Sequence, residues 1–213
     1  MRNSAVVQTM SAAIERISER YFKALRRMSH KSNDEFWFTR GGGNLDVPER
    51  NLTWRVAQES ENLGFVPCLE VGPLIERGSV DVVSVDWRRG ITILREAKLL
   101  YGGGVSARRL HRDVDRLNDV DVTTLQKLGL PERAVRMVIA TTWSFAPEKL
   151  KRADVVARWC AVESRPSSRR KNLAYDALLE RLDELHARFV SHESGWFKEK
   201  RGRSRQHILA AIW

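Results

Sequence analysis

The stretch "GSVDVVSVDWRRGITILREAKLL", residues 78–100, constrains the fold more than any other part of the chain. Two β-branched runs flank "WRRG", the pattern of a buried β-hairpin. Yet Asp81, Glu96 and Lys98 stand inside the apolar runs rather than at their ends. Burying charge is costly unless it is paired or coordinated, so these three side chains require partners.

An even loop centred on Arg88 and Arg89 sets a register in which Val85 faces Thr92, Val83 faces Leu94 and Asp81 faces Glu96. Side chains alternate along a strand. Asp81, Val83 and Val85 therefore share a face with Thr92, Leu94, Glu96 and Lys98. The two carboxylates then lie with Cβ atoms roughly 5 Å apart, where like charges repel. A divalent cation turns that repulsion into coordination, since Mg²⁺ takes carboxylate oxygens and water. Lys98 is placed to orient a water or to stabilise charge developing on a phosphate. Ala97 points away, but its carbonyl can face a metal. Asp86, on the other face and next to the turn, reads as solvated.

A fourth group, a third acid, is expected at the same site. Leu52, Val56, Glu59 and Leu63 recur at spacings of four, three and four, one narrow arc of a helix. That puts Glu59 on the inward face, where it needs a partner.

Along the rest of the chain, apolar periodicity predicts helices over 9–29, 49–63, 105–119, 121–129, 148–163 and 168–191. Gly64 is the expected stop of the second. "FVPCLEV" and "RAVRMVIATTW" read as strands on either side of the hairpin and its following helix. The order helix, strand, strand, strand, helix, strand predicts an α/β protein with a mixed central β-sheet flanked by helices, carrying N- and C-terminal helical extensions. The expected division is a helix and loop over 1–48, a core over 49–147, and a helical extension with a basic tail over 148–213.

Asp81, followed after fourteen residues by Glu96-Ala97-Lys98 in this order of elements, resembles the PD-(D/E)XK nuclease superfamily. The resemblance covers roughly residues 50–145. It implies a restriction endonuclease-like core and metal-dependent phosphodiester cleavage. It also implies Asp81, Glu96 and the Ala97 carbonyl as ligands of Mg²⁺, with Mn²⁺ substituting, Lys98 positioning the attacking water, and Glu59 as the helix-borne glutamate. The residue before Asp81 is Val80 rather than the family's proline.

The charge balance agrees with a polyanionic partner: 37 Lys and Arg against 27 Asp and Glu give a net charge of +10. DNA is the expected substrate, with RNA as the alternative. Arg88 at the hairpin turn and Arg108, Arg109 and Arg112 on the following helix are candidate phosphate contacts. The alternative for the helix is a solvated face with Asp113 and Asp115 as partners. Lys200, Arg201 and Arg203 belong to a basic run that is either a nucleic-acid arm or a frayed terminus.

Two cuts on a duplex favour two sites, which is compatible with a homodimer. Cys68 and Cys160 are isolated, so neither a disulfide framework nor a cysteine zinc site is indicated. No run approaches the roughly 20 apolar residues of a membrane span, and the start of the chain lacks a signal-peptide core. The expected setting is cytoplasmic, without a membrane partner. No phosphate-binding Gly-Lys loop, serine elbow or short histidine metal spacing is present. A rival reading keeps this fold without catalysis, as a DNA-binding or assembly subunit of a DNA-processing complex.

Overall fold

The computed structural model describes residues 3–31, 49–75, 78–100, 104–146, 159, 173–194, 197–199 and 202–213. The elements are α1 (Asn3–Lys31), α2 (Glu49–Asn62), β1 (Val66–Val71), β2 (Val80–Asp86), β3 (Ile91–Leu99), α3 (Gly104–Asp119), α4 (Val122–Lys127), β4 (Arg133–Ala146), α5 (Leu173–Glu184), β5 (Arg188–Glu193), β6 (Phe197–Glu199) and β7 (Gly202–Ile212). They build a mixed α/β fold. Its sheet runs β1-β2-β3-β4-β7-β5, with β6 pairing β7 off that path.

The hairpin adopts the expected register, with Val83 opposite Leu94 and Val85 opposite Thr92. Asp86 is buried rather than solvated. It caps the turn by accepting the Arg89 N–H at 2.9 Å and pairing with the Arg89 guanidinium at 3.3 Å. β3 then runs parallel to β4, a connection that needs a crossover, and α3 and α4 supply it. Asp121 caps α4 by taking the Thr124 N–H at 2.7 Å.

Alternation along the strands gives the sheet two buried faces. Val82, Ile93, Met137, Ile139, Ile208 and Ala210 pack under α1 and α2 through Ile14, Ile17, Leu52 and Val56. Val83, Leu94, Val138, Leu209 and Ala211 pack under α3 and α5 through Leu110, Val114, Leu117, Leu178 and Leu182. The stripes of α1 and α5 thus lie on opposite sides of the sheet.

The last part of the chain departs from the helical extension read from the sequence. The helix expected over 168–191 is α5, which ends at Glu184. His186 takes φ +53. Its N–H reaches the Asp183 carbonyl at 2.8 Å, and the Ala187 N–H reaches the Leu182 carbonyl at 3.0 Å. That is a Schellman stop, made without the usual glycine. Gly64 closes α2 in the same way, at φ +83. Beyond His186 the chain forms β5, β6 and β7. β7 lies between β4 and β5 as an interior strand, with Ile208 to Ile212 buried. The helix expected over 148–163 lies outside the described residues except for Trp159, which is buried and donates to the Ala210 carbonyl at 3.3 Å.

Candidate active site

The site is built where β2 begins and β3 ends. Glu96 is 1% exposed. Beside it, Asp81 is turned toward β3, and its Oδ2 accepts the Ala97 N–H at 2.8 Å. The N–H and C=O of one residue in an antiparallel strand point to the same neighbour, so the Ala97 carbonyl is directed to the same side as Asp81. Lys98 follows on the Glu96 face, 3.4 Å from Asp113 Oδ2 of α3.

Asp113, on a solvated face only in the alternative for this helix, lies instead in the site. It is 6% exposed and completes a group of three carboxylates and two cations. The second cation is Arg116, whose Nη2 lies 2.5 Å from Asp113 Oδ1 and 3.3 Å from Glu96 Oε1. The signal was present: Ser106, Leu110, Asp113 and Leu117 follow the same four-three-four spacing that singled out Glu59, and all four are buried. α3 is held in place at its end by Arg136. That residue donates to the Leu117 carbonyl at 2.7 Å and to the Val120 carbonyl at 2.6 Å.

Electrostatics set this cluster apart. Burial first, then the negative charges of Asp81 and Asp113 and a hydrogen bond with Asp81, push the Glu96 carboxyl up to about 9. Burial also raises Asp113, against the lowering influence of Lys98 and Arg116. Two acids that cannot both ionise cheaply mark a place where positive charge is wanted.

The donor set fits a small hard cation. Among the described residues no three His, Cys, Asp or Glu side chains cluster tightly enough to hold an ion unaided. Mg²⁺, however, is commonly held by one or two carboxylates and keeps several waters. Asp81, Glu96 and the Ala97 carbonyl form such a set. Asp113 Oδ2 is buried and faces the Lys98 ammonium at 3.4 Å.

Glu59 does not join the site. It is 2% exposed, but α2 covers the opposite face of the sheet. There it is bound by Arg16, by Arg20 at 3.3 Å and by Asn62 at 3.2 Å. Burial raises its pKa, but the bonds and charges of those partners outweigh it, so its carboxyl lies below the usual range. Arg95, pointing to that same face from β3, is also buried. It donates to Ser60 Oγ at 2.8 Å and Ser84 Oγ at 2.6 Å. Arg95 is therefore bound on the face opposite Glu96.

Of the candidate nucleic-acid contacts, Arg88, Arg108, Arg109 and Arg112 are exposed. Arg109 and Arg112 lie on the flank of α3 that carries Arg116, by helical spacing. Arg88 sits seven residues from Asp81, roughly 23 Å along the hairpin, and is not brought to the site. Lys200 and Arg201 lie outside the described residues. Arg203 is in β7, opposite Ala146 and Lys198 in the register. The β4–β7 ladder runs on to that pair, past Leu99 opposite Thr141, where the β3–β4 ladder ends. The β6–β7 hairpin therefore extends from the end of the sheet that carries Lys98, by roughly 17 Å.

A search of protein-family models finds no match to the chain, and searches of curated proteins and of solved structures likewise find none.

Proposed function

We propose that the chain is a metal-dependent nuclease that hydrolyses phosphodiester bonds in DNA, on the PD-(D/E)XK plan that its sequence resembles. The observation that carries this reading is the buried Glu96 beside Asp81, whose charge adds to burial in raising the Glu96 carboxyl, with Lys98 on the same face. Asp81, Glu96 and the Ala97 carbonyl would hold Mg²⁺ or Mn²⁺. The chemistry such an ion supplies when bound is to acidify a water and to offset charge on the reacting phosphate.

The remaining work falls to the chain's own groups. Asp113 orients the Lys98 ammonium from 3.4 Å. Lys98 then donates to the attacking water and holds it beside the acid pair. Burial of Glu96 excludes bulk water from that side of the reaction. Arg108, Arg109 and Arg112 offer guanidinium groups to the backbone of a bound strand, and the basic hairpin ending in Arg203 lies along the same end of the sheet. The net charge of +10 favours long nucleic acid over a small phosphoester. Cutting both strands of a duplex is compatible with a homodimer.

One observation favours a second reading, a non-catalytic DNA-binding or assembly subunit. Lys98 and Arg116 already pair with Asp113, and Arg116 also contacts Glu96 at 3.3 Å. Supercoiled plasmid separates the two. With Mg²⁺ or Mn²⁺ the wild type nicks or linearises it and Lys98→Ala does not. Plasmid left intact by the wild type with both ions, alongside tight DNA binding, supports the second reading. Cleavage of RNA but not plasmid would assign the hydrolysis to RNA.

A further inference from the structure

Arg116 behaves unlike the exposed arginines of its helix. Its Nη2 is shared between Asp113 and Glu96, whereas its Nε is buried and, among the described residues, has no hydrogen-bond partner. A guanidinium that fits its acids well uses two parallel N–H donors; this one uses a single nitrogen for two carboxylates. The contact with Glu96, at 3.3 Å, is the longer and weaker of the two. On its other side Nη1 rests against Gly78. A side-chain carbon at that position, where φ is +100, would lie 3.1 Å from Nη1. The arginine is thus fitted into a space that glycine leaves open, and its side chain is 36% exposed, so a route to solvent exists.

We propose that Arg116 and the divalent ion compete for Glu96. In the ion-free protein Arg116 Nη2 donates to the Glu96 carboxyl at 3.3 Å; when the ion binds, Arg116 leaves Glu96 and stays tethered to Asp113 one helical turn away. The inference rests on the metal site proposed above. It makes Arg116 a positioning residue that sets how tightly the ion is held. Affinity for the ion is reduced by the share of molecules in which Arg116 occupies Glu96, as for any ligand facing a closed competing state.

Calorimetric titration of the full chain with Mn²⁺ tests this. Arg116→Gln is expected to bind Mn²⁺ about fivefold more tightly than wild type, the ratio that fits loss of one partly exposed ion pair. Arg116→Lys, which keeps the charge, is expected to stay near wild type. Arg188→Gln removes the same charge from β5, three strands away from β3, and is expected to leave the affinity unchanged. A second readout needs no variant to fold: the Arg116 Nε resonance of the wild type is expected to shift in a Mg²⁺ titration, with the midpoint that calorimetry gives for Mg²⁺. Equal Mn²⁺ affinity in wild type and Arg116→Gln, or an Arg116 resonance that does not move, overturns the competition and leaves the metal site standing. Absence of Mn²⁺ binding in every variant overturns both.

Discussion

Glu96→Gln is expected to stabilise the ion-free protein, although it removes a proposed metal ligand. The Glu96 carboxyl titrates at about 9 in the folded chain against 4.5 for the free side chain. A raised folded value means that the native state holds the proton more tightly than the unfolded state. Stability is therefore fully present below pH 4.5 and declines as pH rises towards 9. The slope is about 1.4 kcal/mol per pH unit. At pH 7 roughly 2.5 units of that interval have been crossed, a loss of about 3 kcal/mol. Glutamine keeps the shape and stays neutral, so it escapes the loss. For a chain of this length each kcal/mol moves Tm by about 2–4 °C, which gives a rise of about 6–12 °C in EDTA at pH 7. The assay is thermal unfolding of wild type and variant at pH 4.5, 7 and 8.5. The gap is expected to be near zero at the lowest pH and to widen upwards. Saturating Mg²⁺ is expected to raise the wild-type Tm and to move the variant much less. A variant less stable than wild type at pH 7, or a gap that does not change with pH, would refute the electrostatic reasoning.

Three further outcomes follow from the rest of the molecule. Glu59→Gln is expected to lower stability by about 1–3 kcal/mol, since it leaves Arg16 and Arg20 without their buried acid. It is expected to leave the rate of plasmid cleavage at the wild-type level, because Glu59 lies across the sheet from Lys98. Burial, with the charge of Arg205 adding to it, holds the His207 imidazole down at about 4. Its contribution to stability is present above pH 6.5 and is lost as pH falls toward 4, by about 2 kcal/mol at pH 5. The loss is read as wild type against His207→Gln in urea unfolding, because Glu96 runs the other way over the same range. Finally, His186→Gly is expected to add about 0.5–1 kcal/mol in the same assay, since a side chain at φ +53 carries a steric cost that glycine avoids.

The hairpin and its register were legible in the sequence because alternation has a period of two and the turn is short. A one-residue slip would have moved Glu96 into the layer that Arg95 occupies. The end of α2 was legible for a similar reason, with Gly64 at the one position that needs a positive φ. The end of α5 was hidden by the same device made with His186. The stripe Leu178, Leu182, Leu185, Phe189 continues across it, so periodicity predicts helix at Phe189, which is strand. β7 was hidden by its charged first half, which read as a tail, and by alanines that gave Ile208–Ile212 no strand signature.

Glu59 and Asp113 show where the site itself was and was not readable. Helical spacing says that a side chain is buried, but not which face of the sheet the helix covers. The same pattern placed Glu59 in one layer and Asp113 in the other. Only the handed crossover from β3 to β4 puts α3, and so Asp113 and Arg116, over Glu96. The arginines bound to Glu59 come from α1, 39 and 43 residues away, and no local pattern links them.

The central claim is that Asp81 and Glu96 tolerate each other because they share a divalent ion. A crystal of the protein soaked in Mn²⁺ tests it directly. One anomalous peak is expected within coordinating distance of both carboxylates and the Ala97 carbonyl, with Arg116 withdrawn from Glu96. Strong Mn²⁺ peaks elsewhere, with Glu96 still bridged to Arg116 and nothing bound between the two acids, would contradict it.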